Sequence, residues 1–110
     1  MLIRPLTIDD TPTLLPWRND ELTRAMSRTN TFIIDLESYR TVVGGWLALP
    51  TTHAYIAEID GVPIGTIRLE EKEVSYTVAP EHRGKGYATE MLRWAVERSG
   101  RYARKSKWQT

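Results

Sequence analysis

The residues best suited to chemistry lie in one stretch, Val78-Ala79-Pro80-Glu81-His82-Arg83-Gly84-Lys85-Gly86-Tyr87-Ala88-Thr89. It reads as a strand that passes through a glycine-containing loop into a helix. The first N–H groups of a helix have no intrahelical acceptor, and the helix dipole adds about half a positive charge at that end, so an anion fits there. Gly84 and Gly86 carry no β-carbon, which lets phosphate oxygens approach the backbone and lets the loop take positive φ. Arg83 and Lys85 add full charges at the same place. The chemistry this predicts is the binding of a diphosphate.

Two other phosphate motifs fail. The dinucleotide fingerprint G-x-G-x-x-G has Thr89 at its third glycine position, and its strand belongs to a meander instead of a parallel unit. No G-x-x-x-x-G-K-[ST] sequence is present for a P-loop.

The elements that must position this loop are legible from periodicity. Residues 2–6 read as a short strand, which Pro5 confines to a sheet edge. Thr7 and Asp10 fit a capping box, and Leu14 and Leu15 lead into a helix that Pro16 is expected to break. A second short helix is expected from about Asp20 to Met26. Asp35 caps a third helix running to Leu49, with Leu36, Tyr39, Val43, Trp46 and Leu47 on one face and a bend or interruption expected at Gly44 and Gly45.

The period then changes to two. Residues 53–59 and 62–69 are joined by Asp60-Gly61, a strong hairpin signal. In the first of these strands Ala54 and Ile56 oppose Tyr55, Ala57 and Ile59, so both faces are apolar and the strand is central. Residues 73–78 form a third consecutive strand. Residues 87–99 return to helical spacing, with Ala88, Met91, Leu92, Ala95 and Ser99 on one face and Glu90, Arg93 and Glu97 opposite. The fold class is therefore α/β in content (α+β by segregation), with a mostly antiparallel sheet of about four strands flanked by helices.

Composition narrows the classes. In 110 residues, 41% hydrophobic and 26% charged, there is enough apolar material for one core, which excludes disorder. With no cysteine, disulfides, thiolate nucleophiles and cysteine-based metal sites are excluded. His53 and His82 lack metal-ligand spacing, so no metal is expected. No long apolar run suggests a signal peptide or a membrane span, and a cytoplasmic location follows by default. A net charge of +1 makes no electrostatic case for nucleic acid or membrane, and with little aromatic or motif context a nucleic-acid role is not expected. Residues 1–99 form the core domain, and residues 100–110 read as a basic tail with Arg101, Arg104, Lys105 and Lys107.

The run Arg83-Gly84-Lys85-Gly86-Tyr87-Ala88 resembles the R-x-x-G-x-A coenzyme-A signature of the GNAT superfamily of N-acetyltransferases, and Val78-Ala79-Pro80 stands where that family has V-x-P. The resemblance extends over residues 2–99. It implies acetyl-CoA as co-substrate, a primary amine of a small molecule or peptide as acceptor, and no metal. It implies that backbone groups of Thr77, Val78 and Ala79 pair with pantetheine as an added strand. The N–H groups of Arg83, Gly84, Lys85, Gly86, Tyr87, Ala88 and Thr89 would hold the pyrophosphate, and the Val78 N–H would donate to the developing oxyanion.

A narrower resemblance is carried by Trp17-Arg18-Asn19-Asp20, Ile64-Gly65-Thr66-Ile67-Arg68 and Ser75-Tyr76-Thr77-Val78. These look like the branch that acetylates amino groups on nucleotide-linked sugars, and like ribosomal-protein N-terminal acetyltransferases. Trp17, Arg18 and Asn19 are then candidate acceptor-binding residues, although Trp17 equally fits a core aromatic and Arg18-Asn19 a helix start. An alkyl amine has a pKa of about 10.4, so a base is useful. Glu73 is the first candidate, with Glu58 and Glu71 behind it. Family members often protonate the thiolate with a tyrosine beyond the last helix here; Tyr102 has no motif around it, and no role is assigned to it.

Complete members continue past residue 99 with a further strand, a helix and two strands. The C-terminal half of the fold is expected to be missing, with room for one short strand at 107–110. The edge at residues 73–78 would then be open and would admit a homodimer. The alternative reading is a truncated fragment that binds coenzyme A, or serves as an interaction domain, without turnover.

Overall fold

The computed structural model describes residues 1–27, 30–71 and 73–99. The period-two segments become four strands, β1 (Leu2–Pro5), β2 (His53–Ile59), β3 (Val62–Leu69) and β4 (Val74–Val78), in one antiparallel sheet of order β1-β2-β3-β4. Pro5 lies on the β1 edge, as a residue with no N–H must. Asp60 and Gly61 both take positive φ (51° and 80°), which matches the twist of the β2-β3 hairpin. The expected basic tail, the short strand at 107–110 and the side chain of Ser99 lie outside the described residues.

The helices are α1 (Thr11–Asn19), α2 (Glu21–Met26), α3 (Leu36–Ala48) and α4 (Tyr87–Ser99). The Thr7–Asp10 capping box heads a single 3-10 turn, Ile8–Asp10, that leads into α1. Asp20 caps α2 by accepting from the Thr23 N–H (3.0 Å), and Asp35 caps α3 by accepting from the Ser38 N–H (2.7 Å). Asp10 also meets Arg4 through two bonds (3.0 and 2.8 Å), and Arg4 reaches Glu58 at 3.1 Å, which ties the start of α1 to β1 and β2. The bond from Arg4 holds the Asp10 carboxyl below its ordinary pKa.

Two sequence expectations fail, for the same reason. Pro16 sits inside α1 instead of ending it. An interior proline costs about 3 kcal/mol, but Leu14 and Trp17 on either side are 2% and 6% exposed, and burying two such side chains contributes about 1.5–3 kcal/mol each. Tertiary packing outweighs the break. Likewise α3 runs through Gly44 and Gly45 without interruption, anchored by Tyr39 and by Val43, which are both buried.

Apolar residues cover both faces of the sheet. On one face Leu6, Ala54 and Ile56 pack with Leu14, Trp17, Tyr39 and Val43 from α1 and α3. On the other, Ala57, Ile67, Leu69 and Val74 pack with Met91 and Ala95 of α4. As the alternation predicts, β2 is central and covered on two sides. Gly65 sets the seating of α4. A β-carbon there would lie 2.5 Å from the Thr77 carbonyl oxygen and 2.9 Å from Cε of Met91, closer than real contacts allow. Gly65→Ala should therefore lower stability by about 1–3 kcal/mol, a fall of at least several degrees in the unfolding midpoint. An unchanged midpoint by circular dichroism would show that α4 is not held in this way.

Candidate active site

The site begins where the β3-β4 ladder ends. The Ala79 N–H donates to the Ile64 carbonyl at 2.8 Å, and Gly65 pairs with Val78 and Thr66 with Thr77. Groups along a strand alternate in direction, so Thr77 and Ala79 face inward to β3 and Val78 stands at a non-hydrogen-bonded position. Of the three residues predicted to pair with pantetheine, Val78 is thus the one whose N–H and C=O face the outer side of β4. Among the described residues no strand occupies that side.

After Ala79, which is fully buried, a 3-10 turn Pro80–His82 reverses the chain. Gly84 and Gly86 follow with φ of 79° and 82°, the left-handed conformation the sequence predicts for them. Space is open around both, so their requirement is conformational, and a ligand can approach the backbone there. The chain then enters α4, whose first carbonyl acceptor is Gly86 O, bonded by the Glu90 N–H at 3.3 Å. Helix geometry leaves the N–H groups of Tyr87, Ala88 and Thr89 without intrahelical partners. Lys85 is exposed in this loop. This cradle fits a diphosphate.

The Arg83 side chain turns away from the loop mouth. Its Nη2 donates to Asp20 Oδ2 at 2.7 Å and to Thr23 Oγ1 at 2.8 Å. Asp20 is at once the cap of α2 and the partner of Arg83, and the bond from Arg83 is the main cause that holds its carboxyl below the ordinary value. The loop is in this way bolted to α2 across more than sixty residues of sequence. Periodicity and motif carry no signal for that link.

The candidate acceptor residues separate. Trp17 belongs to the core cluster, and Asn19 is engaged at both ends of its amide, its Nδ2 donating to Ile34 O (2.8 Å) and its Oδ1 accepting from the Ile34 N–H (3.0 Å). Arg18 is half-buried, donates to Phe32 O at 2.8 Å and stacks over the Phe32 ring at 5.3 Å. On β4 the residues Val74, Tyr76 and Val78 pack toward α4, so Ser75 and Thr77 share the opposite face, while Glu73, expected to open the strand, lies one residue before it. Glu58 is bonded to Arg4 at the far side of the sheet, and Glu71 is exposed in the turn before β4.

That β4 face holds residues the sequence did not single out. Arg68, the cross-strand partner of Ser75, lies 4.3 Å over the Trp46 ring and bonds Glu70 at 3.2 Å. The Ser75 hydroxyl is buried without a hydrogen-bond partner among the described residues. The Tyr39 hydroxyl is pushed up to about 12 by burial, against the opposing pull of Arg18 and Arg68.

Comparison with known proteins agrees with this geometry. The sequence profile of the Acetyltransferase (GNAT) family matches residues 14–108. A ribosomal-protein-alanine N-acetyltransferase from Brucella melitensis superposes with a TM-score of 0.74 at 25% identity, covering 96% of this chain and 69% of that one. A spermidine N-acetyltransferase chimera from Vibrio cholerae gives 0.72 at 17% identity, with 88% and 61% covered. A possible acetyltransferase from Clostridium difficile gives 0.69 at 16% identity, with 91% and 71% covered. The last two show likeness of fold alone. The chain thus spans roughly two thirds of each structure's length. Comparison with curated protein sequences gives no match.

The Arg83–Asp20 link has a pH signature. A carboxyl whose pKa is depressed by folding contributes stability above its unfolded pKa of about 4 and loses it as pH falls through the lower folded value. Asp20→Asn should therefore lower stability at pH 7 and flatten the decline between pH 4 and 2. Denaturant unfolding across that range measures it, and a variant whose pH profile parallels the parent's would remove the link from the account.

Proposed function

The chain belongs to the GNAT acetyltransferase family, and from that premise we propose that it transfers the acetyl group of acetyl-CoA to a primary amine. The observation that carries the reading is the pairing of one outward peptide group, at Val78, with the open helix start at residues 84–89, the two ends of one pantetheine-diphosphate arm. Pantetheine would lie along the outer side of β4 and bond Val78, a form of strand addition. The N–H groups from Gly84 to Thr89 would receive the pyrophosphate, with Lys85 adding charge.

The reaction needs an uncharged amine, a polarised thioester carbonyl and a proton for the departing sulfur. The amine nitrogen bonds to the carbonyl carbon, the carbon–sulfur bond breaks, and coenzyme A leaves as a thiolate that takes its proton from solvent. The Val78 N–H is aimed so that it can stabilise the negative charge gathering on the thioester oxygen. Glu73, which immediately precedes β4, would take the amine's proton, directly or through water. The acceptors in view are an amino sugar linked to a nucleotide or a protein N-terminus, the latter supported by the 25% identity to the ribosomal-protein-alanine enzyme.

Thermal unfolding with acetyl-CoA tests this. At 100 times its dissociation constant the ligand should stabilise by about 2.7 kcal/mol, which raises the midpoint by roughly 10 °C or more for a chain of this size. Gly86→Asp should abolish the shift, because it sets a side chain and a negative charge against the diphosphate. Glu73→Gln should lower kcat about a hundredfold while leaving the shift intact. No shift with millimolar acetyl-CoA would overturn the proposal.

A further inference from the structure

Arg18 and Arg24 are held by backbone carbonyls, unlike three arginines that meet acids and unlike Arg98, which donates to the Tyr55 hydroxyl and lies over the Tyr55 and Trp94 rings. Arg4, Arg68 and Arg83 each meet a carboxylate. Arg18 has Phe32 O as its hydrogen-bond partner, and Arg24 has Asn19 O (3.0 Å) and Thr31 O (3.3 Å). Neutral carbonyls orient a guanidinium and leave its charge uncompensated. Both side chains are half-buried, and both hold the segment at residues 31–32 by donating to neighbouring carbonyls. A guanidinium offers five N–H donors; among the described residues, one of Arg18's and two of Arg24's are engaged.

Partial burial of two like charges is unfavourable unless an anion joins them. Arg68 lies 4.3 Å over the Trp46 ring, and that ring meets Tyr39 edge-on at 6.4 Å. Tyr39 stands within electrostatic reach of both Arg18 and Arg68, and Arg68 is the cross-strand neighbour of Ser75 on the β4 face.

We propose that Arg18 and Arg24 form an oxyanion subsite for the acceptor, so that the amine acetylated belongs to a molecule carrying a phosphate or carboxylate group. This rests on the acetyltransferase reading above. A fork of guanidinium donors suits either group, since both present paired oxygens. A linear polyamine, by contrast, would bring positive charge against two arginines.

Calorimetry on the full chain tests it in two stages. Coenzyme A is titrated first; absence of heat would overturn the acetyltransferase reading itself. With coenzyme A saturating, so that the diphosphate loop is filled, phosphoethanolamine, β-alanine, ethanolamine and 1,4-diaminobutane are titrated in turn. At least one of the two anionic amines should bind about tenfold or more tighter than ethanolamine, with the diamine weakest. The stronger of the phosphate and carboxylate arms identifies the group preferred.

Arg18→Gln and Arg24→Gln should each erase most of that preference while coenzyme A affinity stays unchanged, and Arg18→Lys should keep part of it. Coenzyme A binding by each variant reports that it is folded. The subsite is overturned if the neutral amine or the diamine binds as tightly as the anionic ones, if none of the four binds to the coenzyme A complex, or if the folded glutamine variants keep the parent's preference.

Discussion

A missing side chain at residue 65 governs the geometry of this molecule. Met91 of α4 enters the space beside Gly65, against the carbonyl of Thr77, and so seats the helix over the seam between β3 and β4. The helix start and the strand end are the two halves of the candidate site, and this contact sets their separation. Gly84 and Gly86 answer a different need, a left-handed backbone in open space. One glycine makes room for packing, while the other two turn the chain so that its amides face outward.

The two sides of the site use different means. On the cofactor side the groups in play are backbone N–H and C=O, whose directions follow from strand alternation and helix geometry. Such a site tolerates changes in side chain as long as the glycines and the packing beneath them persist. On the proposed acceptor side the groups are side chains: Arg18, Arg24 and Arg68, held by stacking on Phe32 and Trp46 and by backbone carbonyls, together with Tyr39 and Ser75. Arg83 joins the sides, since it springs from the loop and ends at the cap of α2.

This contrast explains what could be read from the sequence. The hairpin at Asp60-Gly61, the cap at Asp35, the double-faced β2 and the apolar stripe of α4 are local signals, and each appears in the structure with close to its expected bounds. The conformation of the glycine loop was equally legible, because Gly84 and Gly86 take the positive φ that their residue type favours. Pro16 misled because its penalty is local and the burial of Leu14 and Trp17 that overrides it is not. Gly65 looked like an ordinary strand residue, since nothing nearby in sequence announces Met91. The turn of Arg83 toward Asp20, and the gathering of Arg18 and Arg68 about Tyr39, join residues far apart in the chain and carry no spacing pattern.

The central claim is that outward-facing amides, at Val78 and at the start of α4, receive the arm of acetyl-CoA. Amide hydrogen exchange resolved by residue, with and without acetyl-CoA, tests it most directly. The account predicts new protection at Val78 and from Lys85 to Thr89, with Thr77 and Ala79 little changed because they already face β3. Protection that leaves Val78 and the α4 start untouched and falls elsewhere on the molecule would contradict it.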